Sequence, residues 1–312
     1  MIQIKKYTVI YIKAYGRNSM KGLFKGSATA LITPFDKGKI DYNSMERIIE
    51  HQISGGTHAL VVCGTTGEVS TLSVAERKKL MLYCVEKCAG RIPVILGTGG
   101  NNTEACVKMS RYASDIGADG ILSVAPYYNK GTKNGIIEHY KRISDACFLP
   151  VIAYNVPSRT GVNLTPQDYK RLFDKGCISA VKESNSKPDS WLMTRSICGD
   201  ALTLYSGNDS DTLPIISLGG RGVISVASNI VPKRISDMCK YALSGNFENA
   251  ARICLECASL FETLFSEVNP VPIKYAMAKA GLCRNELRLP LTVCENKTAE
   301  RLDEILTLLG VI

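Results

Sequence analysis

The chain has 312 residues, of which 45% are hydrophobic and 21% charged, so it can bury a large core in one domain or two. Its net charge of +9 is scattered among acidic residues and forms no basic run, which argues against binding of nucleic acid. No apolar stretch approaches the length of about 20 residues that a membrane-spanning helix needs.

The first nineteen residues differ from the rest. They carry four of the excess positive charges (Lys5, Lys6, Lys13 and Arg17) and no acid. Their apolar stretch YTVIYI is too short for a signal-peptide core, and no small-residue cleavage site follows it. Since Met20 opens a stretch that reads as a natural beginning, we expect residues 1–19 to be an extension or a misplaced start, and poorly ordered.

Short apolar runs then alternate with longer amphipathic stretches. In chain order the predicted strands are 27–33, 59–63, 93–97, 120–124, 150–156, 178–182, 202–207 and 222–226. The helical patterns between and after them include 43–54, 73–89, 102–116, 134–147, 165–174, 209–218 and 232–243. Strands that alternate with helices pair in parallel through crossovers. Eight such units predict an α/β fold, a closed (β/α)8 TIM barrel, for which about 250 residues is typical.

An open doubly wound sheet is the structural alternative, but GTGG at 97–100 is only a fragment of a dinucleotide-binding loop. After the barrel, 246–265, 270–280 and 297–310 have helical patterns and are predicted to pack on its outside. We therefore divide the chain into an N-terminal extension (1–19), a catalytic barrel (20–244) and a C-terminal helical region (245–312).

Twelve cysteines and three histidines give little sign of metal. Most cysteines stand singly in apolar segments, as small buried hydrophobes do. Cys254 and Cys257 form the one C-x-x-C, with no second pair and no histidine nearby. So many unpaired thiols favour a reducing, cytoplasmic compartment.

Lys182 ends the sixth predicted strand, directly after the small apolar run 179–181. A lysine there either extends its tip into solvent or is desolvated to act as a neutral amine nucleophile. Catalytic groups of (β/α)8 barrels come from the carboxyl ends of the strands. The position therefore favours a lysine that points into the mouth of the barrel.

Polar groups follow other strands as well. GTTGE (64–68) offers hydroxyls and a glycine turn whose N–H groups can hold a carboxylate, and the glycine of SGND (206–209) lets a ligand approach the backbone. APYYNK (125–130) and YNVPSRTG (154–161) bring tyrosines and an arginine. Each alone has an ordinary structural explanation, but together they surround one cavity. The candidates are Thr65, Thr66, Tyr128, Tyr154, Arg159 and Gly207.

GTTGE, YNVPSRTG, VKES (181–184) and GVISV (222–226), in this order and at these strand ends, resemble the dihydrodipicolinate synthase / N-acetylneuraminate lyase family of class I aldolases. The resemblance covers roughly residues 22–310. The second threonine of GTTGE and the Arg-Thr after YNVPS resemble the synthase branch. The sialic-acid lyases have serine at the first threonine and lack the arginine.

The resemblance implies condensation of pyruvate with L-aspartate 4-semialdehyde, the first committed step of lysine and diaminopimelate biosynthesis, without a cofactor. Lys182 would form a Schiff base with pyruvate, for which the amine must be neutral when it attacks. Tyr154, Thr65 and Tyr128 would form a proton relay. Tyr128 would come from a neighbouring subunit, which implies a homodimer or homotetramer.

The same resemblance assigns the substrate contacts. Thr66 and the adjacent N–H would hold the pyruvate carboxylate, and Arg159 would bind the carboxylate of the semialdehyde, a task that suits its planar fork. Gly207 and Ile224 would contribute main-chain carbonyls near the lysine.

Two other functions stay open at this point. One is another pyruvate-dependent aldolase of the family, acting on a sugar acid such as N-acetylneuraminate or 2-keto-3-deoxygluconate, against which Arg159 and Thr65 argue. The other is a barrel that senses a keto acid without turning it over. The relay set Thr65, Tyr128, Tyr154 and Lys182 argues against a sensor, which has no need to move protons.

Family members that lysine inhibits bind it at the dimer interface, beside the loop after strand two and the helix after strand three. Asn101 and Tyr127 remain here, but the serine, histidine and glutamate positions differ. They are Val69, Val74, Arg77 and Ala105. Glu104 is one residue from the required position, about 100° around a helix. We therefore predict weak lysine inhibition or none.

Overall fold

Eight parallel strands close into a barrel in the computed structural model of the chain, which describes residues 23–312. Strands β1–β8 are Gly26–Ala30, Ala59–Val62, Val94–Gly97, Gly120–Val124, Val151–Asn155, Ala180–Glu183, Thr203–Ser206 and Gly222–Ser225. Each strand pairs with its neighbours in sequence, and β1 pairs with both β2 and β8. The predicted TIM barrel is confirmed, while the extension 1–19 lies outside the described residues.

Helices α1–α8 each follow the strand of the same number. They are Tyr42–Ser54, Val74–Cys88, Thr103–Asp115, Lys133–Ala146, Pro166–Asp174, Pro188–Cys198, Thr212–Ser217 and Pro232–Leu243. Local sequence sets where they begin: Asp41 caps α1, and Ser73 with Glu76 forms a capping box on α2. A short helical turn, Pro157–Thr160, precedes α5.

The predicted (β/α)8 repeat implies a helix after β6, but the sequence pattern does not mark the bounds of α6. Its Leu192 and Met193 are exposed although they are apolar, and this obscures the expected alternation of buried and exposed positions. The helix begins with Pro188 in its first turn, where a missing N–H costs nothing.

The region after the barrel is helical, as predicted, with one difference. Its helices α9–α12 are Phe247–Glu256, Ala258–Thr263, Val271–Lys279 and Asn296–Leu308. The pattern predicted one helix over 246–265, but the helix is interrupted at Cys257, which caps the end of α9 and the start of α10. None of the helices in residues 23–312 has the length and apolar character to cross a bilayer. The domain division at residue 244 stays a prediction.

The sheet separates two apolar cores. The larger lies between the strands and the helices, and the smaller fills the barrel interior. At the end where the strands begin, Phe24 stacks on Tyr205 with ring centroids 4.2 Å apart, and the Tyr205 hydroxyl donates to the Phe24 carbonyl at 2.7 Å. This closes one end of the barrel and leaves a cavity at the other.

Alternation along β6 places the reactive candidate. Ala180 belongs to the inner core and Val181 to the outer one. Because successive strand side chains point to opposite faces, Lys182 points into the barrel and Glu183 away from it. Tyr154 on β5 is paired in register with Lys182 and also belongs to the inner core.

Candidate active site

A cavity of about 490 Å³ opens at the carboxyl ends of the strands. Of the eight site residues that the sequence predicts, six line this cavity: Thr65, Thr66, Tyr154, Arg159, Lys182 and Gly207. Tyr128 and Ile224 do not. The barrel topology thus brings together residues from four strand ends and the loops that follow them.

Lys182 lies at the base of this cavity and is 5% exposed. Its Nζ is 4.2 Å from the centroid of the Tyr154 ring. Within residues 23–312 the amine forms no hydrogen bond and no ion pair. A buried lysine normally has a hydrogen-bond or ion-pair partner, so an amine that faces a cavity without one makes Lys182 the candidate reactive group.

The carboxylate of Asp209 lies close enough to Lys182 for the charge of the lysine to lower its pKa, but its hydrogen bonds are made with other groups. It accepts hydrogen bonds from the Ser225 hydroxyl and from the N–H groups of Val226 (3.1 Å) and Ala227 (3.0 Å). Burial raises the pKa of Asp209, while these donors and the charge of Lys182 oppose the rise. Asp209 therefore holds the turn after β8 in place.

Glu183 anchors the same strand from outside the barrel. Its carboxylate accepts hydrogen bonds from Tyr169 (2.5 Å), Asn155 (3.0 Å) and the N–H of Asn185 (2.8 Å). Burial raises the pKa of Glu183 to about 7, although the three donors act in the opposite direction. This network fixes the backbone that carries Lys182.

A buried ion pair supports the turn after β2, which carries Thr65 and Thr66. Glu68 has φ +52°, a conformation that few non-glycine residues adopt. Its carboxylate forms an ion pair with Lys274 of α11 at 2.6 Å, and neither side chain is exposed. Lys274 also donates to the carbonyls of Thr33 (2.6 Å) and Glu286 (3.0 Å). The C-terminal region therefore supports the turn that presents Thr65 and Thr66.

The predicted proton relay is only partly assembled in one chain. Tyr154 and Thr65 both line the cavity, but no hydrogen bond joins their hydroxyls in the described part of the chain. Tyr128 has φ +69° and is 88% exposed, on a surface loop outside the cavity. Its assignment to a neighbouring subunit stays a prediction.

Close approach explains Gly207. A Cβ at this position would lie 2.0 Å from Ser184 Oγ and 3.0 Å from the Glu183 carbonyl oxygen, so a larger residue would require these groups to shift. The side chain of Ile224 is buried in the inner core and does not line the cavity, and the role of its main-chain carbonyl stays a prediction. Arg159 is exposed at the mouth, where its Nη2 donates to the carbonyl of Asn269 at 3.0 Å.

Comparison with known proteins identifies the family. The model of the dihydrodipicolinate synthetase family matches residues 23–309. The chain belongs to this family. The 4-hydroxy-tetrahydrodipicolinate synthase of Clostridium novyi is 46% identical over 284 residues, covering 91% of this chain and 96% of that protein.

Solved structures agree. The dihydrodipicolinate synthase of Thermotoga maritima has a TM-score of 0.91 and 41% identity, with 93% of this chain and all of that chain (100%) covered. A chloride-inhibited synthase of Acinetobacter baumannii, solved with pyruvate, has a TM-score of 0.90 and 37% identity, covering 92% and 99%. The predicted family, fold and enzyme class, a lyase of lysine and diaminopimelate biosynthesis, are confirmed, and the names favour the synthase over the sugar-acid alternative.

One wall of the cavity was not predicted. The segment 265–269, between α10 and α11, lines it. From the sequence, this region is predicted to pack outside the barrel, and none of its residues is among the predicted site residues. The sequence feature that could have indicated a role for this region is Lys274, a charged residue in the apolar run PIKYAMA just after the segment.

Within residues 23–312 no three His, Cys, Asp or Glu side chains are grouped to hold a metal ion. All twelve cysteines fall in this part of the chain, where they are thiols.

Lysine should inhibit this enzyme weakly or not at all. Val74 and Ala105 are exposed where the pocket would need polar side chains. Glu104 forms an ion pair with Arg142 at 3.0 Å, and Arg77 adds a positive charge that repels an ammonium. Initial rates measured against rising L-lysine test this. Half-inhibition at sub-millimolar lysine would contradict it.

Proposed function

We propose that this chain condenses pyruvate with L-aspartate 4-semialdehyde through a Schiff base on Lys182. The observation that carries the proposal is the buried Lys182 amine, which faces the cavity without an ion pair or hydrogen bond in residues 23–312. The pyruvate in the A. baumannii synthase structure supports the choice of first substrate.

In the proposed reaction, Lys182 Nζ attacks the ketone carbon of pyruvate, and the carbinolamine loses water to give an iminium. The iminium accepts electrons, so the methyl group loses a proton and an enamine forms. The enamine carbon then attacks the aldehyde carbon, and the aldehyde oxygen takes up a proton. The amine of the semialdehyde finally attacks the iminium carbon, closes the ring and releases Lys182.

Tyr154 is the proposed proton carrier because its ring lies beside Nζ. Thr65, in the same cavity, and Tyr128 of a second copy would extend the relay. Gly207 and Ile224 are assigned main-chain carbonyls near the amine. Because Tyr128 would come from a second copy, we propose a homodimer or homotetramer as the active form. The twelve thiols favour the cytoplasm, where they would stay reduced.

A panel of aldehydes tests the proposed function. With pyruvate present, L-aspartate 4-semialdehyde should be consumed, while N-acetylmannosamine and glyceraldehyde should not. Faster consumption of either sugar-derived aldehyde would favour the sugar-acid aldolase. Binding of pyruvate without turnover of any aldehyde would favour the keto-acid sensor.

Arg159 should matter more for the second substrate than for pyruvate. Arg159→Ala removes a bidentate donor to a carboxylate, so KM for the semialdehyde should rise by about tenfold or more. Formation of the pyruvate adduct should persist. Steady-state kinetics with each substrate varied in turn measures both. Equal rises in the two KM values would contradict the assignment.

Subunit exchange tests Tyr128. Tyr128→Phe and Lys182→Ala should each have little activity, because one lacks the donated hydroxyl and the other lacks the amine. Mixed and allowed to exchange, they should regain activity, since some sites then contain both groups. An active monomer in sedimentation experiments, or no recovery after proven exchange, would contradict the shared site.

A further inference from the structure

Asn269, on the wall formed by 265–269, contacts both groups to which substrate carboxylates are assigned. Its Nδ2 donates to Thr66 Oγ1 at 3.0 Å, and its main-chain carbonyl accepts from Arg159 Nη2 at 3.0 Å. The side chain is only 6% exposed. The C-terminal region thus reaches into the site through one residue.

The first contact determines what the Thr66 hydroxyl can do. A hydroxyl donates one hydrogen bond, and a carboxylate only accepts. Because Nδ2 donates to the Thr66 oxygen, the Thr66 proton stays free, and no acceptor for it is recorded in residues 23–312. The donors therefore run in one direction: Asn269 donates to Thr66, and the Thr66 hydroxyl can donate to an acceptor in the cavity.

The reverse orientation of the amide would cancel this. Asn269 Oδ1 would then face Thr66 and take its proton. The two orientations have nearly the same shape, and in the structure Nδ2 faces Thr66. With Nδ2 toward Thr66, Oδ1 is buried without a partner in the described chain. A buried acceptor without a partner costs free energy, and this cost is tolerated where a function requires it. The function here would be a charge-assisted hydrogen bond from Thr66 to the carboxylate.

We propose that Asn269 is a positioning residue that holds the Thr66 hydroxyl as a donor to the pyruvate carboxylate. This inference rests on the proposed function, which assigns that carboxylate to Thr66. Because Arg159 contacts the main chain of Asn269, substitution of the side chain leaves that contact available. Variants of Asn269 should therefore affect pyruvate and not the semialdehyde.

Two substitutions of opposite character test the proposal. Asn269→Asp keeps the shape but replaces the donor with an acceptor, which takes the Thr66 proton and adds negative charge. Asn269→Leu has similar size and neither donates nor accepts. We expect KM for pyruvate to rise about tenfold or more with Asp, and less with Leu, while KM for the semialdehyde stays unchanged. A merely structural residue would give the opposite order, because Leu alters the packing more than Asp does.

A double-mutant cycle tests whether Asn269 affects pyruvate binding through the Thr66 hydroxyl. In a Thr66→Val background, which has no hydroxyl to orient, Asn269→Leu should raise KM for pyruvate no further. An equal rise in both backgrounds, or wild-type pyruvate binding by Asn269→Asp, would overturn the proposal. If wild type forms a pyruvate adduct and the variants match it, only this inference fails. If wild type forms no adduct, the proposed function fails as well.

Discussion

Lys182→Arg should lower kcat by several orders of magnitude. The substitution keeps a positive charge at the base of the cavity, but a guanidinium stays protonated at any working pH and cannot supply a neutral amine. Without the amine there is no iminium and no enamine, so the barrier of the carbon–carbon bond step is not lowered. Steady-state rates with both substrates measure the loss.

The matched control is Lys187→Arg, in the loop that follows β6. Lys187 is exposed, and within residues 23–312 its side chain forms no hydrogen bond or ion pair, so this variant should keep wild-type activity. Circular dichroism and thermal unfolding should show that both variants fold. Substantial activity in a homogeneous Lys182→Arg preparation would show that the reaction does not depend on this amine.

Lys274→Met should destabilise the fold by about 3–5 kcal/mol, because it leaves the carboxylate of Glu68 buried without its partner. The ion pair is inaccessible to solvent, so water cannot compensate for the lost charge. Burial already lowers the pKa of Lys274, while the attraction of Glu68 opposes that shift. Urea or thermal unfolding at fixed protein concentration measures the change.

Two further variants separate charge from packing. Lys279→Met, on the same helix, breaks the exposed pair with Asp303 and should cost less than about 1 kcal/mol. Glu68→Gln combined with Lys274→Met removes both buried charges, and the amide oxygen can still accept from the N–H of Arg288. The double variant should regain most of the lost stability. Equal stability of Lys274→Met and Lys279→Met would contradict the explanation.

The barrel and most of its site could be predicted because local patterns determine them. Strand-length apolar runs that alternate with helical ones imply parallel pairing, and the fold then places every strand end at one rim. Lys182, Tyr154 and the threonine turn reach one cavity for this reason alone. No long-range contact had to be known.

What escaped prediction depends on contacts between distant residues. Lys182 and Lys274 give the same signal, a lysine in an apolar run, yet one amine faces the cavity unpaired and the other is neutralised by Glu68. Asn269 and Thr66 lie 203 positions apart in sequence. No local pattern indicates that they touch. Tyr128 is 88% exposed in this chain and would reach a site only in the proposed oligomer.

Borohydride trapping tests the Schiff base most directly. Protein incubated with pyruvate is reduced, digested and analysed by mass spectrometry, beside a sample without pyruvate. Reduction converts the iminium into a stable secondary amine, so the peptide that contains Lys182 should carry the pyruvate adduct only when pyruvate is present. An adduct on a different lysine, or an active enzyme that traps none, would contradict the account.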